Sequence, residues 1–380
     1  MIVAIPRESF PGEKRVALIP ASVPGLVKAG LEVVVEKGAG VEAGYPDAQY
    51  EAKGAKIADR TAVFAADVLL QVRAAGANPE AGKADLARYR QGQIVIAMTD
   101  PLNNPQPSQE LAAKGVALFS LELLPRITRG QAMDVLSSMA TIAGYRAVLL
   151  AATNIKKMFP MLMTAAGTLT PAKVFVNGAG VAGLQAIATA KRLGAVVSGY
   201  DIRPKAKVDI QSLGAKVVEL ALETSQAEGQ GGYAQKMDDE FYRKQQALMT
   251  KVASESDIII TTAAIQGQKA PILFTAEAVR GMAPGSVIVD LAAERGGNCE
   301  LTNTGETVVE NGVTILGPTN LPSDIPTHAS LMYSKNACNF LANLVKDGKA
   351  NFNLEDEIIR DTLVTRDGQV VNPRIQSLLK

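Results

Sequence analysis

Short all-apolar runs alternate along this chain with longer segments in which apolar residues recur every three or four positions, the rhythm of βαβ units. In the first third, Ile2–Ile5, Leu31–Glu36, Val68–Val72 and Ile94–Met98 read as strands. Ala21–Ala29 reads as a helix closed by Gly30 at the C′ position. Gly38–Gly44 is a glycine-rich turn, and Pro101, Pro105 and Pro107 break the chain after the run ending at Met98. Gln131–Ala152 is a long helix-compatible stretch that reads as a bridge between domains. A second series follows: a strand at Lys173–Asn177, a helix at Val181–Leu193, then strands at Ala195–Tyr200, Lys216–Glu219, Asp257–Thr262, Ser286–Leu291 and Val313–Leu316. After Pro326 the pattern is helical again, over Ser330–Lys346. Two successive α/β series predict parallel sheets with helices packed on them.

Composition narrows the class. A chain of 380 residues exceeds one ordinary core. With 47% hydrophobic and 20% charged residues and a formal net charge of +1, it is neither a disordered chain nor an electrostatic binder of nucleic acid. Two cysteines, Cys299 and Cys338, exclude a disulfide scaffold and point to a reducing compartment. No metal-ligand spacing is present, so no metal is expected. The start, Met1–Glu8, has no apolar signal core. The most apolar stretches, Leu136–Ala152 and Ile155–Leu169, are interrupted by Arg146 and by Lys156–Lys157, so no direct membrane insertion is expected.

The strongest local signal is Lys-Val-Phe-Val-Asn-Gly-Ala-Gly-Val-Ala-Gly, residues 173–183. Gly178, Gly180 and Gly183 have G-x-G-x-x-G spacing between a strand and an alanine-rich helix, the context that gives this motif its meaning. Gly178 permits a tight turn, Gly180 admits a pyrophosphate, and Gly183 lets helix and strand pack closely. Ala179, Val181 and Ala182 then supply backbone N–H groups at a helix start. Asp201 ends the next strand, 18 residues beyond Gly183, near the ~20 expected for a ribose-binding carboxylate. It favours NAD(H) over NADP(H). Arg203, with Ile202 between them, is the counter-signal, since an arginine there can receive a 2′-phosphate. The expected fold is therefore α/β, with two Rossmann-like domains. The N-terminal one is discontinuous (1–135 and 322–380), and the NAD(H)-binding one covers 136–321.

Several segments carry a resemblance. Ile-Pro-Arg-Glu-Ser-Phe-Pro-Gly-Glu-Lys-Arg-Val-Ala-Leu-Ile-Pro (5–20) resembles the opening of alanine dehydrogenases and of the NAD(H)-binding components of proton-translocating transhydrogenases. Residues 123–138, 143–148, 159–168 and 231–237 resemble the transhydrogenase branch. The resemblance covers essentially the whole chain. It implies two α/β domains with a cleft between them, a homodimer, and NADP(H)-binding and transmembrane partner subunits. The expected location is cytoplasmic, peripheral at the inner membrane's cytoplasmic face through those partners. A mobile loop within Thr224–Gln246 is implied too, although an ordinary surface loop is the alternative.

Chemistry separates the two branches. Reduction of a keto or imino acid needs a cation for the substrate carboxylate and an acid–base group for the proton. The resemblance places the alanine dehydrogenase arginine at Arg15, but the lysine position falls on Gln71 and the histidine position on Met98. A methionine transfers no proton. The chain's single histidine, His328, reads as a surface or helix-start residue. Hydride exchange between two nicotinamides needs ring alignment and exclusion of water, with no general acid or base. The expected activity is thus direct hydride transfer between NADH and NADP+ bound on a partner subunit; soluble alanine dehydrogenase is the alternative.

The resemblance assigns nicotinamide-holding and catalytic roles within 126–138. Asp134 would accept from the carboxamide NH2, Arg126 and Ser137 would donate to its oxygen, and Gln131 would reach the second nucleotide, with Ile127 and Thr128 beside them. A plain helix cap at Thr128 or Asp134 is the other reading. Gly232, Tyr233, Gln245 and Ala264 would line the nucleotide pocket. Tyr145 would support the ring or be a core tyrosine. Glu294 or Asn298 would lie near the site, following a strand, and Arg15 would persist as an ion partner.

Overall fold

The computed structural model describes residues 1–219, 239–264 and 267–380. It divides into two compact units, one of Met1–Met139 with Pro322–Lys380, the other Ala140–Leu321.

The first unit is built on an eight-stranded sheet. Its parallel part runs Ala117–Ser120, Ile94–Met98, Val68–Arg73, Ile2–Ile5, Glu32–Glu36 and Lys56–Ala58 in spatial order. Val68–Arg73 and Ile94–Met98 are buried almost throughout, as expected of parallel strands covered on both faces. The strand order reverses between Ile2–Ile5 and Val68–Arg73, which makes that pair the topological switch point. The C-terminal segment adds Leu363–Arg366 antiparallel to Ala117–Ser120, and Gln369–Val370 beyond it. Lys56–Ala58, Ala117–Ser120 and the tail strands were not legible as strands, being short or lacking a clean apolar run.

The second unit has a seven-stranded sheet: Lys216–Val217, Val196–Tyr200, Lys173–Asn177, Ile258–Thr261, Val287–Asp290, Val313–Leu316 and Thr307–Glu310 in spatial order. Only the last is antiparallel. Its switch point lies between Lys173–Asn177 and Ile258–Thr261. Both sheets are thus doubly wound and Rossmann-like, as expected, with antiparallel strands confined to one edge of each.

The helix expected over Gln131–Ala152 is different. Thr128–Met133 is a 3-10 helix, Asp134 is extended (ψ 93°), and the α-helix covers Val135–Asn154. The Asp134 carboxylate accepts from Ser137 N at 2.9 Å and so caps the helix. The signal was present as an aspartate three residues ahead of a serine. This 20-residue helix is long and apolar enough, by length and composition alone, to cross a membrane. Its Ala147, Val148 and Ala151 are buried in the second unit's core, with Val174, Val176 and Ile187.

Candidate nucleotide site

The fingerprint turn folds as its glycines require. Gly178 has φ +92°, a region that side-chain-bearing residues rarely adopt. Its N–H donates to Tyr200 O at 2.8 Å, which ties the turn to the neighbouring strand. A Cβ on Gly183 would overlap the Gly178 carbonyl oxygen. Gly180 is the opposite case: it is extended (φ −75°, ψ −172°), caps the helix Val181–Arg192 without a side-chain hydrogen bond, and faces open space where a Cβ would stand. An uncapped helix start beside an unfilled cradle is what a pyrophosphate fits. Ala179 is buried, Ala182 half-buried and Val181 exposed.

Asp201 is drawn to this turn. Its Oδ2 accepts from Ala179 N at 2.7 Å. Arg203 forks back onto the same carboxylate, with Nε to Oδ1 at 2.9 Å and an NH2 group to Oδ2 at 2.7 Å. The counter-signal and the signal are therefore one ion pair. Gln245, buried on the helix Asp239–Ser254, donates to Tyr200 Oη at 3.2 Å, while its own Oε1 is buried without a partner among the described residues. Ile202 is half-buried and Ala264 exposed. Gly232 and Tyr233 lie outside the described residues.

Beneath the turn runs a buried polar chain that sequence reasoning largely missed. Asn177 Nδ2 donates to Thr261 Oγ1 (3.0 Å), and that hydroxyl donates to Asn298 Oδ1 (2.7 Å). Asp290 Oδ2 accepts from Asn298 N (2.7 Å) and from Thr302 Oγ1 (2.8 Å). Asn298 is fully buried, so it braces the turn from below rather than facing a ligand, and Glu294 is exposed. Gly144 was also missed: a Cβ there would overlap the Ala182 carbonyl, so only glycine lets the helix Val135–Asn154 approach the fingerprint helix. Tyr145, one residue on, is 40% exposed, which corrects its reading as a core tyrosine.

In the first unit, Arg126, Thr128 and Gln131 are exposed, while Ile127 and Asp134 are half-buried. Ser137 Oγ donates to Asp134 Oδ2 at 2.6 Å. The proton expected to go from Ser137 to a carboxamide oxygen is thus directed at Asp134.

The switch point of the first sheet is filled by the chain itself. The register of Val68–Arg73 against Ile94–Met98 shifts between Leu70 and Arg73, and Glu8 accepts the Val72 and Arg73 N–H groups at 2.6 and 3.0 Å. Burial, with Glu13 nearby, pushes the Glu8 carboxyl up to about 8. Arg15, 2% exposed, forks onto Glu13 with Nε–Oε1 at 2.7 Å and NH2–Oε2 at 2.6 Å. Burial alone would raise the Glu13 carboxyl, but Arg15 outweighs it and holds it at about 2. Ser323 Oγ donates to Glu13 at 3.0 Å, and Arg73 lies over the Phe10 ring at 4.3 Å. Gln71 is buried and accepts from Tyr89 Oη at 2.9 Å, and Met98 is buried. His328 is exposed in the first turn of Pro326–Leu344. Among the described residues no group of three or more His, Cys, Asp or Glu could hold a metal ion.

Comparison with known proteins gives this geometry a family. Residues 4–143 match the alanine dehydrogenase/PNT N-terminal domain, and residues 147–373 match the alanine dehydrogenase/PNT C-terminal domain. An NAD(P) transhydrogenase alpha-subunit polypeptide of Rhodospirillum rubrum is 47% identical over 99% of both chains. The chain belongs to the alanine dehydrogenase/PNT family, on its transhydrogenase alpha-subunit branch. The crystal structure of transhydrogenase from Sinorhizobium meliloti matches with a TM-score of 0.85 at 43% identity, over 98% of this chain and 99% of that one. Alanine dehydrogenase of Bacillus subtilis is more distant, 27% identical over 97% of this chain and 92% of its own. A transhydrogenase-branch member of this kind is an oxidoreductase subunit with a Rossmann-like fold, and partner subunits are implied by the subunit names of its relatives.

Proposed function

We propose that this chain binds NAD(H) and passes hydride directly between NADH and NADP+ held on a partner subunit of a proton-translocating membrane complex. The observation that carries this reading is the self-filled crevice at Arg15. An alanine dehydrogenase needs a cation for a substrate carboxylate and a proton carrier. Here Arg15 is neutralised by Glu13, and Gln71 and Met98 occupy the lysine and histidine positions. Transfer between two nicotinamides needs neither group.

The bound nicotinamide supplies the hydride; the chain supplies position. Gly178, Ala179, Gly180, Val181, Ala182 and Gly183 take the pyrophosphate, supported by the open cradle at Gly180. Asp201, with Ile202 and Arg203, takes the adenosine ribose, and Gln245 and Ala264 line the nucleotide pocket. The buried, unpartnered Gln245 Oε1 supports that placement. Gly232 and Tyr233 line the same pocket. Arg126, Ile127, Thr128, Gln131, Asp134 and Ser137 hold and align the ring. Asp134 and Ser137 act as a hydrogen-bonded pair, so the carboxylate meets the ring in a fixed orientation. This chain forms a homodimer within the complex and is peripheral at the cytoplasmic face through its partners. An exposed apolar hairpin, Leu162–Thr164 with Gly167–Leu169, supports a chain–chain contact: Met161 is 57% and Met163 78% exposed.

Mixed with a competent NADP(H)-binding component, the protein is expected to exchange hydride between NADH and an NADP analogue. Appreciable turnover of pyruvate and ammonia with NADH by the isolated chain would instead overturn the proposal. A second measurement tests the cofactor. Asp201→Asn releases Arg203 from its carboxylate. It should narrow the preference for NADH over NADPH roughly tenfold or more, the scale of one charge-assisted hydrogen bond of about 1.5–3 kcal/mol. An unchanged preference in equilibrium titrations would remove Asp201 from the ribose site.

A further inference from the structure

The segment that carries Arg126, Thr128, Gln131 and Asp134 has little of its own to hold it in one place. Its regular part is one short 3-10 helix, Thr128–Met133, a conformation with poor hydrogen-bond geometry. Arg126, Thr128, Arg129, Gln131 and Ala132 are all exposed. Ser137 anchors Asp134 locally, and Gly130 and Met133 are buried, but what fixes Arg129 and Ala132 comes from more than two hundred residues away in sequence. The side-chain amides of Asn336 and Asn339 both donate to the Ala132 carbonyl, each at 2.9 Å. Arg129 forks onto Asp356, one arm reaching Oδ2 at 3.0 Å and the other Oδ1. Asn343 closes a triangle: its Nδ2 donates to Asp356 Oδ2 at 3.0 Å, and its Oδ1 accepts from Arg129 at 3.2 Å. Asp356 is itself fixed, because it caps the helix Glu357–Thr362 by accepting from Ile358 N at 2.9 Å. Arg129 holds its carboxyl well below the ordinary carboxylate range.

The three asparagines share one face of the helix Pro326–Leu344, at spacings of three and four. They and Asp356 therefore pin the segment at Arg129 and at Ala132, on either side of Gln131. Stability alone is a weak reason for such an arrangement. Arg129 is half-exposed, and water screens an ion pair of that kind until little net stabilisation is left. Alignment is a stronger reason, since a displacement of about 1 Å can cost a hydride-transfer geometry roughly a hundredfold in rate.

We propose that Arg129, Asp356, Asn336, Asn339 and Asn343 are positioning residues for hydride transfer: they set where Gln131 and Asp134 stand without touching either nucleotide. The proposal rests on the transfer reading above. Its test uses the full chain with a competent NADP(H)-binding component and NADH. Arg129→Met and Asp356→Asn should each lower kcat roughly 10- to 100-fold, while KM and the equilibrium Kd for NADH stay within about threefold. Their double variant should be no worse than either single, since both break one triangle. Amide exchange over residues 128–134 should speed up in the single variants with no change in Tm.

Wild-type kcat in the single variants would overturn the proposal, and so would a fall in kcat that tracks a fall in Tm. An inactive wild-type mixture would instead sink the transfer reading, and with it the role assigned to the clamp. Amide exchange unchanged in the variants would show that no clamp exists, whatever the activity.

Discussion

Alanine at position 183 is expected to cost the second unit on the order of 3 kcal/mol or more and to abolish NADH binding with it. The reason is steric. The added methyl would overlap the Gly178 carbonyl oxygen, which belongs to backbone and cannot rotate away. Relief requires the helix Val181–Arg192 to lift from the strand Lys173–Asn177. That separates Ile187 and Ala190 from Val174 and Val176 in the same core. Chemical denaturation would read the loss as a lowered midpoint at unchanged slope. The neighbouring Gly180→Ala is the control, because its methyl enters open space from an ordinary backbone conformation. Its stability should stay within about 0.5 kcal/mol of wild type. NADH affinity should still fall roughly tenfold or more, about 1.4 kcal/mol per decade, because the cradle is now filled. Wild-type binding by Gly180→Ala would mean that the pyrophosphate does not lie there.

Glu13→Ala should be comparably damaging, at about 3–5 kcal/mol, because it strands the Arg15 guanidinium in a site where both partners are almost wholly buried. Replacing the pair together, Glu13→Leu with Arg15→Met, should recover part of that loss: the buried guanidinium goes with its partner, and only the less buried Arg73, 3.4 Å from Glu13, gives up a carboxylate. The pair also has a pH signature. The Glu13 carboxyl is held at about 2 against an ordinary 4.5, so its stabilising contribution is present above pH 4.5 and disappears as pH falls toward 2. The double variant should lack that acid limb in denaturant midpoints measured across the range. Hydride exchange by the double variant, per folded molecule, should match wild type. A specific loss of hydride exchange there would give the Glu13–Arg15 pair a part in the transfer reaction beyond holding the fold.

Much of the first layer of this molecule was written locally. The strands Ile94–Met98, Lys173–Asn177 and Val313–Leu316 were read to the residue, because an apolar run bounded by polar or turn residues leaves a buried parallel strand few other options. The fingerprint was equally legible, since its glycines answer to requirements within a few residues of themselves. The helix start at Val135 was legible only as the alternative reading, a cap at Asp134, while the stretch was expected to begin at Gln131. Periodicity outweighed the Asp134 cap, although that cap is also a short-range signal.

What the chain determined by itself is thus whatever depends on neighbours along it: strand type, the glycine turn, the acidic strand end at Asp201 and the lack of lysine and histidine at Gln71 and Met98. Tertiary structure alone decided the rest, and the reason is sequence distance. The Ser323 hydroxyl on Glu13, the asparagines gripping Ala132, the grip of Asp356 on Arg129 and the fit of Gly144 on Ala182 join residues that no periodicity relates. Polar side chains such as Asn336 and Asp356 look like solvated positions until the fold brings a buried or aligned partner within hydrogen-bond reach.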